Sequence, residues 1–170
     1  MNIFTFGYGG RQVATLAAFV AEFHAVVIDV RLKPWTKQPG WSLSDLKAVF
    51  AEEYHWWGRS LGNLNFKGGT VKLADEKKGM KKLVALMRAG IAPILLCAEQ
   101  SPDSCHRTMI AEKLAALTGD AQVIHLPFIT DSPTDRVDEQ LPLWPRTQAV
   151  PKLPRLPTNR SKRTQKRPDK

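Results

Sequence analysis

The sequence has little of what marks secreted, disulfide-bonded or membrane-spanning proteins. It contains two cysteines in 170 residues, too few for the disulfide framework of a small secreted domain. No apolar run approaches the roughly 20 residues that span a bilayer. Residues 1–7 have neither the basic start nor the long apolar stretch of a signal peptide. We therefore expect a protein of the reducing cytoplasm without a membrane partner, in which thiols are more often chemical than structural.

Positive charge is plentiful but unevenly distributed. The formal net charge is +9 at pH 7, and residues 142–170 hold nine Lys or Arg residues against one acid. This segment is also rich in proline, which predicts an irregular chain. Concentrated cations favour binding to the phosphates of DNA or RNA, although such a segment can also serve only solubility. The candidate nucleic-acid-binding residues are Arg160, Lys162, Arg163, Lys166 and Arg167.

The hydrophobic pattern divides the chain into two parts. Residues 1–129 alternate short apolar runs with amphipathic stretches of helical period, whereas residues 130–170 form the proline-rich basic tail. The predicted strands cover residues 2–6, 25–31, 54–57, 91–97 and 121–125, with helices in most of the intervals. This alternation predicts a single α/β domain with a mainly parallel sheet of about five strands and helices on both faces. The glycine-rich residues 58–69 are predicted to form a long loop.

The densest group of reactive side chains follows the fourth predicted strand. The segment after this strand has Ser101 followed by Pro102, a pattern typical of a helix N-cap and first helical residue. Cys105 is then expected in the first or second turn, where the helix dipole lowers the pKa of a thiol and attracts anions. The candidate catalytic residues in this segment are Cys97, Glu99, Cys105, His106 and Arg107.

Other polar residues stand at the ends of the remaining predicted strands. In a parallel sheet these ends meet at one edge, where open α/β sheets bind ligands. Asp29 and Arg31 are further catalytic candidates, although they are equally suited to pairing with each other. The candidate ligand-binding residues are Gly7, Tyr8, Arg59, Lys67 and His125. Residues 32–41 contain two tryptophans and read as a loop that covers a site, stacks on bases, or is held by buried indoles.

A metal site is an alternative use of the same side chains. Cys97, Cys105 and His106 offer the sulfur and nitrogen atoms that zinc prefers, and His125 or Glu99 is a candidate fourth ligand. The seven residues between the two cysteines match no common zinc motif. The sequence therefore establishes no cofactor. Zinc binding stays an alternative, and so does a purely structural role for two buried cysteines.

The sequence resembles the domain of unknown function 488 family. The resemblance rests on Cys97-Ala98-Glu99 with Pro102 and Cys105-His106-Arg107, and it is extended by weaker matches at Thr5-Phe6-Gly7-Tyr8, Asp29-Val30-Arg31 with Pro34, Tyr54, Leu61-Gly62 and His125. It covers roughly residues 2–128. It implies a compact α/β domain of bacteria, archaea or phages, and it carries no established reaction. The basic tail lies outside it.

Three functions fit these observations. The first is a cysteine- or metal-dependent hydrolase or transferase that acts on a nucleotide or nucleic acid, with Cys105 or Cys97 as nucleophile and His106 or Glu99 as proton carrier. Arg31 and Arg107 would hold the anionic substrate. The second is a non-catalytic DNA- or RNA-binding adaptor with a structural cysteine cluster. The third is a zinc-dependent hydrolase.

Overall fold

A computed structural model describes residues 1–128 and shows the predicted α/β architecture. Strands and helices alternate along the chain, and a single 3-10 turn at Ala51–Glu53 precedes the third strand. The elements are β1 (Asn2–Gly7), α1 (Val13–Phe23), β2 (Val26–Asp29), α2 (Leu43–Phe50), β3 (Tyr54–Trp56), α3 (Gly58–Leu61), α4 (Glu76–Arg88), β4 (Pro93–Cys97), α5 (His106–Thr118) and β5 (Gln122–His125). All five strands that the sequence predicts are present.

The five strands form one parallel sheet in the order β3-β2-β4-β1-β5. Phe4 and Phe6 of β1 pack in one core cluster with Phe19 of α1 and Leu46 of α2. The opposite face is covered by α5, which contacts β1, β4 and β5, and by α4, which contacts β4 and α5. Helices therefore cover both faces, as right-handed connections between parallel strands require.

The topology creates a crevice at the carboxyl end of β4. The chain leaves β1 and β2 through α1 and α2 on one face, and it leaves β4 through α5 on the other. Since β4 lies between β1 and β2, the segments that follow these neighbouring strands diverge to opposite faces. Such switch points are where open α/β sheets bind ligands. Gly7, Asp29 and Cys97 end the three strands that meet there.

The start of α5 differs from the sequence prediction. The helix begins at His106, with Cys105 as its N-cap, and not at Pro102. Residues 101–105 instead form a turn, in which the Cys105 N–H donates to the Pro102 carbonyl at 3.1 Å and the Asp103 N–H donates to Ser101 Oγ at 3.2 Å. The Ser101 side chain is therefore used within the turn, and Cys105 stands just before the helix.

The predicted loop at residues 58–69 contains a short helix. α3 occupies Gly58–Leu61, and the loop starts after it. The Leu61 side chain is fully buried and lies against Gly79 of α4, where an added Cβ would come within 2.3 Å of it. The packing of Leu61 against α4 stabilises this short helix. The glycine content of the segment does not reveal that contact.

The proline-rich tail and the boundary at residue 129 stay predictions. The tail lies outside the described residues, together with its five candidate nucleic-acid-binding cations. Among residues 1–128, none of the helices combines the length and the apolar composition that a bilayer-spanning helix needs.

A glycine-to-alanine pair tests how closely β1 approaches the loop after β4. A Cβ at Gly7 would lie 1.9 Å from the backbone oxygen of Glu99, whereas one at Gly9 would have no neighbour nearer than 3.1 Å. We expect Gly7→Ala to lower the free energy of unfolding by about 3 kcal/mol, because backbone must move. Gly9→Ala should change it by less than about 1 kcal/mol. Urea unfolding measures both, and equal midpoints would contradict the close approach.

Candidate functional site

Four side chains converge at the crevice. Ligand atoms of Cys97, Glu99, Cys105 and His106 all lie within 4.8 Å of one another. Cys97 is the last residue of β4, Glu99 follows it, Cys105 caps α5 and His106 begins that helix. Both thiols and the imidazole are buried, both cysteines are free, and Glu99 is exposed. The end of one strand and the start of the next helix therefore build the whole cluster.

The Glu99 carboxylate joins the two thiols. Its Oε2 atom accepts from Cys97 Sγ at 2.6 Å and from Cys105 Sγ at 3.1 Å. Arg107 holds the backbone of the same segment, since its NH1 donates to the Glu99 carbonyl at 2.6 Å and its NH2 to the Gln100 carbonyl at 3.0 Å. Arg107 thus positions the loop that carries Glu99, a role that sequence spacing does not show.

The orientation of His106 follows from its backbone partner. Its Nε2 atom lies 3.1 Å from the Val30 carbonyl oxygen, and a carbonyl only accepts, so Nε2 carries a proton. The other ring nitrogen, Nδ1, lies 3.8 Å from Cys97 Sγ. In the neutral imidazole Nδ1 therefore directs its lone pair toward the thiols.

The two thiols differ in acidity. Hydrogen bonding from Cys97, together with His106 and Arg107, outweighs the opposing effect of burial and lowers the pKa of Cys105 to about 6. The pKa of Cys97 is raised well above 9.0, through its hydrogen bond to Cys105, its burial and the charge of Glu99. Cys105 is therefore the more acidic thiol of the pair.

The pKa values of the neighbouring acid and base, Glu99 and His106, are both shifted in the direction that favours the charged form. Burial works to raise the pKa of Glu99, but hydrogen bonds from Cys97 and Cys105 outweigh it, and the pKa is lowered. Burial likewise works to lower the pKa of His106, whereas its contacts with Cys105 and the Val30 carbonyl raise it. The cluster consequently holds a more acidic carboxyl group and a more basic imidazole than usual beside the two thiols.

Asp29 and Arg31 form the ion pair that the sequence left open. Arg31 Nε lies 2.9 Å from Asp29 Oδ1, and Arg31 NH2 lies 2.5 Å from Asp29 Oδ2. Tyr54 Oη donates to Asp29 Oδ2 at 2.6 Å, and Asp29 is fully buried. Burial, followed by the charge of Asp29, raises the pKa of Tyr54. Asp29 thus faces its protein partners, whereas Arg31 also reaches the cavity beside the cysteines.

The loop of residues 32–41, which contains two tryptophans, is buried at Trp41 and exposed at Trp35. Trp41 is 1% exposed, stacks on Tyr8 with ring centroids 4.8 Å apart, and donates through Nε1 to the Arg11 carbonyl at 3.1 Å. Trp35 is 85% exposed. The buried indole of Trp41 therefore fixes the loop, and the exposed indole of Trp35 is accessible to a ligand.

A cavity of about 360 Å³ opens beside the cluster. Its walls combine three members of the cluster, two exposed aromatic rings and two cations. The lining residues central to the site are Tyr8, Arg31, Lys33, Trp35, Phe66, Cys97, Glu99 and His106. Phe66 was not identified from the sequence, although an exposed phenylalanine within a glycine-rich stretch is a usable signal.

The remaining candidates add no side chain to the cluster. Gly7 lies against the backbone of Glu99, so the missing side chain makes room for the protein's own chain. The Arg59 guanidinium lies over the Trp56 ring at 5.7 Å, and Lys67 is exposed on its loop. His125 Nδ1 lies 2.7 Å from Thr5 Oγ1 and borders a different cavity. Their ligand-binding roles stay predictions.

Residues 63–114 match the family model described as Domain of unknown function DUF488. The resemblance predicted from the sequence is confirmed for this segment. It includes all four cluster residues and Arg107, whereas the weaker matches near Gly7, Asp29 and His125 lie outside it. No curated protein and no solved structure gives a significant match to the chain. The DUF488 description names no activity, so the chemistry has to follow from the geometry.

The acidity of Cys105 is measurable from the ultraviolet absorbance of its thiolate in chelator-treated protein. We expect the absorbance to rise as the pH increases through about 6, because the thiol is protonated below its pKa. Cys97→Ala should move the midpoint toward the ordinary 9.0, since Cys97 supplies the largest lowering effect. Cys105→Ala should abolish the step. A parent midpoint near 9 would contradict the assignment.

Proposed function

We propose that the cluster binds zinc and is the active site of a hydrolase that acts on a nucleotide or nucleic acid. The observation that carries the proposal is the orientation of His106. Its Nε2 faces the Val30 carbonyl, while Nδ1 lies 3.8 Å from Cys97 Sγ in a cluster whose ligand atoms all lie within 4.8 Å of one another. A metal-bound histidine characteristically donates its second ring N–H to a carbonyl or carboxylate in this way.

The donor set fits zinc. Two cysteine sulfurs and one imidazole nitrogen are a ligand set known from catalytic zinc sites, in which the fourth position holds water or substrate. Glu99 is the exposed member of the cluster and borders the cavity. Cys97, Cys105 and His106 would hold the ion, and Glu99 would be its exchangeable fourth ligand. Bound zinc would supply Lewis-acid chemistry and lower the pKa of a bound water.

The protein's own residues have distinct tasks in this proposal. The Glu99 carboxylate would act as the general base that takes a proton from the attacking water. Arg107 keeps Glu99 in reach through the two backbone carbonyls that it holds. Arg31 is paired with Asp29, so its guanidinium forms a fixed wall of the cavity, and the Lys33 ammonium in the same lining attracts an anionic substrate.

The shape of the cavity supports a nucleotide-type substrate. A volume of about 360 Å³ lies within the range of small-molecule sites. Trp35 and Phe66 are 85% and 55% exposed, and both line it. Exposed rings of this kind stack on bases, and Lys33 beside them suits a phosphate. The basic tail would add sequence-independent affinity for nucleic acid.

A cysteine nucleophile is the second candidate, and the lowered pKa of Cys105 favours it. Cys105 would attack as the thiolate, with His106 as the proton carrier and without a metal. A non-catalytic adaptor is the third. It predicts that Cys105→Ser binds nucleic acid like the parent and that neither protein changes a nucleotide or oligonucleotide in an assay of products by mass spectrometry.

Metal content separates zinc binding from thiol catalysis. In untagged protein purified without chelator, we expect about one zinc per chain by elemental mass spectrometry. Cys97→Ser and Cys105→Ser should each lose most of it, because a ligand is removed. His24→Asn is the matched control, since His24 is exposed at the end of α1 and lies outside the cluster. It should retain the metal.

Two results would count against the zinc proposal. The parent protein could be free of metal and stay so after incubation with zinc, in which case the Cys105 thiolate is the better nucleophile. Alternatively, the serine variants could keep as much zinc as His24→Asn. The metal would then be bound elsewhere on the chain.

The contribution of the tail appears in the salt dependence of binding. Five substitutions to glutamine, at Arg160, Lys162, Arg163, Lys166 and Arg167, remove the most concentrated cations. Each phosphate contact contributes about −0.9 to the slope of log K against log salt for duplex DNA, so we expect the slope to become shallower by up to about 4. Glutamine at Lys77, Lys78 and Lys81 of α4 is the control. An unchanged slope would assign binding to the folded domain.

A further inference from the structure

A second cavity lies on the other side of β1 from the cysteine cluster. It has a volume of about 430 Å³ and lies where β1 and β5 end. The residues that line it are Thr5, Arg11, Gln100, Ser101, Pro102, Arg107, His125, Leu126, Pro127 and Phe128. Among residues 1–128, no aspartate or glutamate contributes to this lining, although two arginines do.

Arg11 is buried there with most of its donors unused. It is 7% exposed, and its guanidinium lies between the rings of Phe6 and Phe128, at 4.4 and 5.1 Å from their centroids. NH2 donates to the Leu126 carbonyl at 3.1 Å. Within the described part of the chain, Nε and NH1 are buried without a hydrogen-bond partner. Burial, and then the charge of Arg107, lowers the pKa of Arg11 to about 10.

Arg107 brings a second positive charge to the same wall. It is 2% exposed, and its two terminal nitrogens donate to the carbonyls of Glu99 and Gln100. Its Nε is also without a partner among residues 1–128. Carbonyl oxygens satisfy donors but do not neutralise a charge.

Two buried guanidinium groups without a carboxylate are costly. Burial of a charge is stable only when the charge is paired, and the repulsion between two cations adds to the cost. The ion pairs in the described residues are Arg31 with Asp29 and Lys113 with Glu76, and neither involves this cavity. An anion that enters the cavity would compensate the positive charges of both arginines.

We infer that this cavity binds the phosphate group of a monoester or free inorganic phosphate. A phosphate dianion matches the two positive charges, and its oxygens match the forked donors of arginine. His125 adds an imidazole to the lining. The inference goes beyond the proposed hydrolase, because it uses neither the cysteines nor a metal.

Thermal unfolding of the full chain in phosphate tests the site, with sodium chloride of equal ionic strength as the reference. A ligand of the folded state raises the midpoint as its concentration increases. We expect this rise in the parent, and Arg11→Gln should weaken the apparent phosphate affinity by at least about 10-fold, since charge-assisted hydrogen bonds are lost. Arg88→Gln, an exposed arginine at the end of α4, should respond like the parent.

A second variant and a parallel measurement keep the result interpretable. Arg11→Lys retains the charge but lacks the forked donors, so it should lose affinity even if the glutamine variant does not fold. Zinc content should be the same in the parent and in the Arg11 variants. Phosphate binding can therefore fail while zinc binding holds, or the reverse.

Two comparisons identify the source of the phosphate. A nucleoside monophosphate that binds more tightly than inorganic phosphate, while the nucleoside does not bind, would support a monoester ligand. Equal affinity of both phosphates would support inorganic phosphate. The inference is overturned if phosphate acts no differently from chloride or if Arg11→Gln responds like the parent. It is also overturned if phosphate binds only after Asp131, Asp135 and Asp138 are changed to asparagine, which would identify the chain's own carboxylates as the counter-ions.

Discussion

The contact between the end of β1 and the segment after β4 determines both cavities. Gly7 lies so close to the Glu99 carbonyl that no side chain fits between them. The same carbonyl accepts from Arg107, which also holds the Gln100 carbonyl. The segment is therefore fixed on both sides by its backbone, and this leaves the Glu99 side chain free to meet the thiols. An arginine that holds backbone carbonyls thus organises a cluster that it does not enter.

The sheet order explains why this chemistry lies at β4. β4 lies between β1 and β2, and the chain leaves it toward the face opposite to theirs. The diverging backbone exposes carbonyls and N–H groups at that edge, where the Val30 carbonyl meets His106. Because a hydrogen bond fixes one nitrogen of this buried imidazole, the direction of the other ring nitrogen is fixed as well. The fold itself therefore selects the ring nitrogen that faces the cysteines.

Much of the fold and the cluster were predictable because they depend on local pattern. The five strands show as short apolar runs, and Cys97, Glu99, Cys105 and His106 lie within ten residues, so a strand end and a helix start suffice to bring them together. Contacts between distant residues were not predictable. The Tyr54 hydroxyl on Asp29, the Phe66 ring beside the cysteines and the burial of Arg11 all depend on strand order, which single-sequence periodicity does not encode.

Three buried arginines show how partners decide what a charge does. Arg31 has Asp29 in direct contact, so its charge is neutralised within the protein, and burial costs little beyond the fixed geometry. Among the residues that the structure describes, the partners of Arg11 and Arg107 are carbonyls and aromatic rings instead, which accept hydrogen bonds or stack but carry no negative charge. The arginine side chain is therefore structural at position 31, whereas at positions 11 and 107 its charge is suited to binding an anion. Residue type alone suggests anion binding for all three, and only the observed partners separate them.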